Sequence, residues 1–458
     1  MKLWGGRFRK DIAPELERLG RSIGFDRRLA PQDVLINRVY ARALCSAGKL
    51  ESTEVEAIER GLDQVEKQLA LESPPLDSGD EDIHTAVERL LTESVGAVAS
   101  KLPAGRSRND LAMTELRLYL AGGIRDLTEQ IRRVQGTLLK RALESRDFIL
   151  PGYTHMRRGQ PVVFAQYLLA YFWALERDRS RLEHARSHCL ELPLGAGALA
   201  GNPMGVDRKV MAQELGFVNV LENSIDAVSS RDFALEFLSA AAVLATHFSR
   251  MSEDLLLWST TEFGFVALDE AYSTGSSLMP QKRNPDGLEL IRGKCGRVIG
   301  DLTGLLTTVK GLPTGYQRDL QEDKEAVFDA LDTLNLVFPV MNGTLATMSI
   351  CPDAMARALS PELLATDLAD YLVDKGVPFR DSHRIVGEIF AVAAEKGVDV
   401  ASLDLSDLRS YAAAFDEDVR EVWSYERSVG RKTSRGGVAA TAIDEQLRRA
   451  RDKLNDLT

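Results

Sequence analysis

Between residues 109 and 145 the chain runs without proline, and Ile124, Leu127, Ile131, Val134 and Leu138 recur at spacings of 3, 4, 3 and 4. Apolar residues at that period fall on one stripe of an α-helix and make a seam that must be covered by another helix. The same pattern returns in Val327, Leu331, Leu334, Phe338, Met341, Leu345 and Met348, with Pro339 inside the run and expected to kink it. Residues 161–190, 230–259 and 285–310 complete a set of five long helices. Pro161 and Pro285 are placed in first turns, where a missing N–H has no intrahelical partner to lose. Helices of about 26 to 37 residues extend about 40 to 55 Å. Such lengths point to an all-α fold built on an extended bundle, and to oligomerisation rather than a monomeric five-helix bundle. Earlier in the chain, Gly48 closes one helix, and Thr53-x-x-Glu56 reads as the capping box of the next, with Val55, Ile58, Leu62, Val65 and Leu69 on its apolar face.

Composition narrows the function. The chain carries 57 Lys+Arg against 68 Asp+Glu, a net charge of −11, which opposes nucleic acid or a membrane surface as the main partner because both require a basic footprint. Residues 233–248 form the most apolar stretch, but they include Glu236 and His247 and are too few to span a bilayer. Neither the first residues nor the acidic residues that follow them suit a targeting segment. The four cysteines, Cys45, Cys189, Cys295 and Cys351, form no C-x-x-C pair. This usage fits a reducing cytoplasm. The length of the helical patterns, long in the middle and shorter at both ends, divides the 458 residues into a small helical domain at 1–105, a long-helix domain at 106–357 and a small helical domain at 358–458.

Chemistry concentrates in the loops between the long helices. Residues 275–285, Gly-Ser-Ser-Leu-Met-Pro-Gln-Lys-Arg-Asn-Pro, combine a free backbone, two hydroxyls, Lys282 and Asn284 just before a helix N-terminus, a setting suited to an oxyanion and equally compatible with a plain surface turn. His155, in Gly152-Tyr153-Thr154-His155, is one of six histidines, and imidazole suits proton transfer, with Glu289 able to orient it. Arg106, Arg108 and Asn109 present two guanidinium groups and an amide, either a clamp for carboxylates or a set of loop-holding ion pairs. Residues 80–84, Asp-Glu-Asp-Ile-His, begin another helix with favourable acidic charge. Residues 316–324 add a phenol, amides and an ammonium. His184 and His188, at i and i+4, lack a recognisable third metal ligand and read as solvated helix-surface residues.

These loops, in this order between long helices, resemble those of the argininosuccinate lyase family within the fumarase/aspartase superfamily. The resemblance rests on residues 104–110 (Ala-Gly-Arg-Ser-Arg-Asn-Asp), 152–155, 275–286 and 318–325 (Arg-Asp-Leu-Gln-Glu-Asp-Lys-Glu), together with Leu3-Trp4-Gly5-Gly6-Arg7-Phe8 near the start. The Gly-Ser-Ser loop belongs to the whole superfamily, whereas the Arg-Ser-Arg-Asn-Asp and Arg-Asp-Leu-Gln-Glu-Asp-Lys segments point to the one family. Gly159 departs from the family's more usual alanine, which puts the local entry into the following helix in question.

The resemblance implies reversible elimination of fumarate from argininosuccinate, leaving arginine, without metal or cofactor. It assigns Ser276 as base, Lys282 and Asn284 to the substrate oxyanion, and His155 with Glu289 to protonation of the departing nitrogen. Ser22, Asn109, Thr154, Tyr316, Gln321 and Lys324 are implied substrate-binding residues, with Arg108, Asp82 and His84 beside them. It also implies a homotetramer in which three subunits build each active site.

Overall fold

The computed structural model describes residue 10 and residues 12–455; the Leu3–Phe8 resemblance lies outside the described residues. After two short helices at Pro14–Gly20 and Ile23–Asp26 come α1 (Ala30–Ser46), α2 (Ser52–Leu69) and α3 (Ile83–Val95). Five long ones follow: α4 (Arg108–Glu144), α5 (Phe164–Cys189), α6 (Asp232–Ser259), α7 (Asp286–Val309) and α8 (Asp323–Thr347). Among the later helices are α9 (Ala365–Asp374), α10 (Phe379–Lys396) and α11 (Ala440–Asn455). Among the described residues eight short strands form four two-stranded sheets, so the fold is predominantly helical as expected.

The residues cluster into two compact units, one made of 1–129, 178–245 and 295–335, the other of 130–177, 246–294 and 336–458. Each long helix contributes residues to both. In the first unit, α1 and α2 bury Ile36, Tyr40, Leu44, Ile58, Leu62 and Val65. Gly48, at φ 69°, ends the α1 segment as read from sequence. The capping box is displaced from that reading. Thr53 lies inside α2, and it is Glu54 that reaches back to the Glu51 N–H at 3.0 Å, while also pairing with Lys101. In the second unit, α9 and α10 close over Leu368, Leu372, Ile385, Ile389 and Phe415.

Both heptad seams are buried, with none of their twelve residues more than 2 % exposed. Their burial is complete within one chain, so the regular seams are internal core and not an unpaired surface awaiting a second copy. The exposed large apolar residues among the described parts of the long helices are different ones: Leu143 on α4, Leu290, Ile299 and Leu306 on α7, and Leu336 on α8.

One helix entry differs from expectation. Pro161 belongs to a strand, not to a first helical turn: β1 (Ile149–Thr154) pairs antiparallel with β2 (Arg157–Val163), Pro151 opposite Pro161, and α5 begins only at Phe164. Proline is tolerated there because a two-stranded ribbon is all edge. Gly159 also lies in β2, where an added Cβ would make only ordinary contacts, 3.6 Å to the Gly152 carbonyl and 3.8 Å to the Thr154 hydroxyl. Alanine would fit, and helix entry is not affected. Pro285 directly precedes α7, and its carbonyl accepts from the Leu288 and Glu289 N–H groups.

Candidate active site

In the first unit, several loops meet around a cleft of about 620 Å³ lined by Gly20, Arg21, Glu81, Arg108, Arg318 and Gln321 among others. Local hydrogen bonds explain why these side chains are held. Asp82 caps α3, accepting from the Thr85 N–H at 2.8 Å, and also receives Arg108 Nη1 at 3.0 Å. Arg108 donates its second Nη to the Thr85 hydroxyl at 3.1 Å. Burial opposes ionisation of Asp82, but the charges of His84 and Arg108 override it and hold the carboxyl below its ordinary range. Ser22 is buried and donates to Asp26 at 2.6 Å, and Asp26 in turn accepts from the Ile83 N–H at 3.1 Å.

Arg106 takes the loop-holding role that was one of its two readings. It donates to Asn37 at 2.9 Å and lies over the Tyr40 ring. Asn109 sits in the first turn of α4, its amide 3.3 Å from the Ala198 carbonyl. The neighbouring Asp110 is fully buried and accepts from the N–H groups of Ser107, Gly195 and Gly197, fixing both loops to the start of α4.

Across residues 316–324, Tyr316 packs against the Ala196, Ala227 and Val228 cluster. Gln321 reaches the Gly20 carbonyl at 3.4 Å, and Arg318, which the resemblance did not assign, bridges Gly20 and Glu81 at 2.7 Å each. Lys324 donates to Asp323 at 3.0 Å, and Asp323 also receives Arg231 at 2.5 Å. Burial would raise the Asp323 carboxyl, yet Lys324 and Arg231 together hold it low. The ammonium is thereby oriented by a charge with no exposure of its own.

The second unit holds the other set. Thr154 pairs with Arg157, leaving His155 and Met156 as a two-residue hairpin tip, at φ 51° and 59°. Paired positive φ values are what a type I′ turn demands, and Asn-Gly is its usual sequence. Behind the tip, the Tyr153 N–H donates to the Tyr167 hydroxyl at 3.2 Å, and the Tyr153 ring packs on Phe263. The left-handed backbone of a non-glycine residue costs about 1 to 2 kcal/mol, and asparagine tolerates it better than histidine. We therefore expect His155→Asn to raise the thermal midpoint slightly while lowering activity; a fall in the midpoint would show that the tip is not strained.

The Gly-Ser-Ser loop is a hairpin of its own. Strands β3 (Thr274–Gly275) and β4 (Arg283–Asn284) pair, with Thr274 opposite Asn284, and residues 276–282 form the tip. Thr274 donates to Asp286 at 2.5 Å and Arg283 pairs with Glu270 at 2.6 Å. At its base, Tyr272 packs over Gly343, where a Cβ would collide with the ring, so the loop depends on a glycine on α8. The Ser276 oxygen accepts from two backbone N–H groups, Met279 at 3.0 Å and Leu278 at 3.3 Å. Donors aimed at an oxygen favour its charged form. Lys282, Asn284 and Glu289 line one open groove of about 920 Å³. Tyr153 and Met156 line a different one of about 560 Å³. Among the described residues, no hydrogen bond or ion pair joins His155 to Glu289 within the chain.

His184 is exposed and His188 half-exposed, as read for helix-surface residues, and His188 pairs with Glu236 at 2.5 Å. Among the described residues the one group of three side chains close enough to share an ion is Asp33, His84 and Glu115. His84 faces these two acids from a buried position and does not project into the cleft as a freely binding side chain. No spacing rule in the sequence joins those three residues.

Comparison with known proteins decides what this arrangement belongs to. Residues 6–300 match a family model described as Lyase, and residues 362–430 match one described as Argininosuccinate lyase C-terminal. The chain is 48% identical over 449 residues to an argininosuccinate lyase of Roseiflexus sp. (strain RS-1), covering 98% of this chain and 99% of the relative. The chain belongs to the argininosuccinate lyase family. A second member, from Schizosaccharomyces pombe (strain 972 / ATCC 24843), is 45% identical over 453 residues, covering 99% of this chain and 98% of its own. Membership makes the protein a lyase. The fold is also that of EDDS lyase crystallised with formate, at a TM-score of 0.86 and 26% identity over 98% of this chain and 91% of that one. A class II fumarase from Schistosoma mansoni shares the fold at a TM-score of 0.73 and 16% identity, covering 89% of this chain and 91% of that one.

Proposed function

We propose that the two sets of residues serve one reaction, the reversible β-elimination of fumarate from argininosuccinate to give L-arginine. The observation that carries the mechanism is the Ser276 hydroxyl, whose oxygen faces two backbone N–H groups in a loop that also bears Lys282. Ser276, ionised in that setting, takes the proton from the carbon beside a substrate carboxylate. The electron pair left behind moves into that carboxylate, where Lys282, Asn284 and loop N–H groups stabilise the added charge. The C–N bond then breaks, fumarate forms, and the departing guanidinium nitrogen receives a proton from His155, directly or through water, with Glu289 restoring it.

Substrate is held by Ser22, Asp82, Arg108, Asn109, Thr154, Tyr316, Gln321 and Lys324. His84 acts behind them. Four copies assemble, and the Asn109, His155 and Ser276 loops of each site come from different subunits. Support comes from the missing His155–Glu289 contact within one chain and from the exposed Leu290, Ile299, Leu306 and Leu336. The long helices all fall within 106–357, the part we assign as the central domain between helical domains at 1–105 and 358–458. A cytoplasmic setting accords with four free cysteines. No helix among the described residues is long and apolar enough to cross a membrane.

The test is direct. Purified protein incubated with argininosuccinate should release fumarate, followed by its absorbance. Release only from another succinyl substrate would remove argininosuccinate from the proposal.

A further inference from the structure

Three buried titratable groups take no part in the chemistry above. His84 Nδ1 lies 2.5 Å from an Asp33 oxygen and 3.0 Å from a Glu115 oxygen. Asp33 is 1% exposed, Glu115 not at all. A single N–H cannot point at both oxygens. It points at Asp33, and both Glu115 oxygens are left buried without a geometrically sound donor. Two ionised acids around one imidazole would leave uncompensated charge in the interior, which proteins avoid by keeping a proton.

The first turn of α3 is where this triad matters. Ile83 N–H holds Asp26, which holds Ser22; Asp82 holds Arg108; and His84, next in sequence, ties the turn to α1 through Asp33 and to α4 through Glu115. We propose that His84 is a positioning residue, an imidazolium clamped between Asp33 and a protonated Glu115, which fixes the α3 turn and with it Ser22, Asp82 and Arg108. The positioning role rests on the function proposed above, whereas the protonation assignment stands apart from it.

Electrostatics agree with the geometry. Burial opposes charge on His84, but the acids around it, Glu115 first, then Asp33 and Asp82, raise the imidazole well above its usual range; once Glu115 holds its own proton, the Asp33 hydrogen bond and the Asp82 charge are what remain to hold the imidazolium. Burial, reinforced by Asp33 and opposed by His84, pushes the Glu115 carboxyl well up. The other charged groups facing the cluster are Asp26 before α1, Glu88 on α3, and Arg106 and Arg108 at the start of α4. A metal ion is a poorer occupant than a proton, since ligands bonded at about 2.1 Å in a tetrahedron sit about 3.4 Å apart, farther than either acid oxygen lies from His84 Nδ1.

The sign of the pH effect follows. Glu115 holds its proton in the folded state above pH 4.5, where the unfolded chain has lost it, so wild-type stability falls as pH rises toward the folded pKa. Glutamine mimics the neutral acid and removes that slope. In urea unfolding at fixed protein concentration from pH 5 upward, Glu115→Gln should gain on wild type by up to about tenfold in folding constant per pH unit. A pH-independent difference over that range would mean Glu115 is ionised and overturn the assignment. With argininosuccinate, Asp33→Asn and His84→Gln should raise KM about tenfold or more with little change in kcat, while Glu115→Gln stays near wild type. Equal losses in kcat for all three, or stoichiometric metal in the purified protein by elemental analysis, would also overturn it. A wild type that does not turn over argininosuccinate would defeat the proposed function and leave the urea result to stand alone.

Discussion

Ser276→Ala should lower single-turnover fumarate release by about 10² to 10⁴-fold, the range for removing a general base, while substrate binding stays close to wild type. The hydroxyl oxygen is the atom at stake. It accepts from the Met279 and Leu278 N–H groups, which would favour an alkoxide but would equally stabilise a simple serine turn. These readings part at this substitution. If the serine only shapes the loop, alanine leaves the β3–β4 pairing and the Thr274–Asp286 bond in place, and turnover changes little. Lys282→Met gives the companion measurement. Its side chain is exposed and forms no ion pair or hydrogen bond among the described residues, so neither is lost. Its removal should still reduce turnover by about 10² to 10³-fold if it stabilises charge on both the serine and the substrate. Near-normal turnover in Ser276→Ala would move the base role to His155 or a bound water.

The long helices were legible because a 3-and-4 apolar period sustained over many turns admits one backbone geometry. Residues 109–145 became Arg108–Glu144, and 285–310 became Asp286–Val309. Where a tertiary partner sets the conformation, pattern reading faltered. Pro161 looked like a helix opener because nothing near it signals a hairpin: the tip that would ordinarily read Asn-Gly reads His155-Met156. If His155 is the proton donor, chemistry displaced the sequence best suited to the turn. The capping box slipped from Thr53/Glu56 to Glu51/Glu54, where Lys101, far along the chain, reinforces the true Glu54 position. The candidate site divides similarly. Its loops were identifiable as motifs, but the Asp33–His84–Glu115 cluster joins three helices through side chains that no local pattern relates.

The proposed sharing of sites between subunits leads to the second large effect. Inactive His155→Asn and Ser276→Ala tetramers, mixed under conditions that exchange subunits, should regain activity. If each site draws His155 from one subunit and Ser276 from another, random 1:1 reassembly leaves about a quarter of sites with both residues native, a rise from near zero. The two parents suit the experiment because neither substitution removes a buried contact, and the first is expected to relax its turn. A control fixes the interpretation. Wild type mixed 1:1 with the His155→Asn/Ser276→Ala double variant should fall to the same quarter if sites are shared. Should each chain supply both residues itself, activity would stay at about half. Verified exchange with no recovery in the first mixture, and half activity in the second, would place both residues in one subunit and require the missing His155–Glu289 contact to form by movement within a single chain.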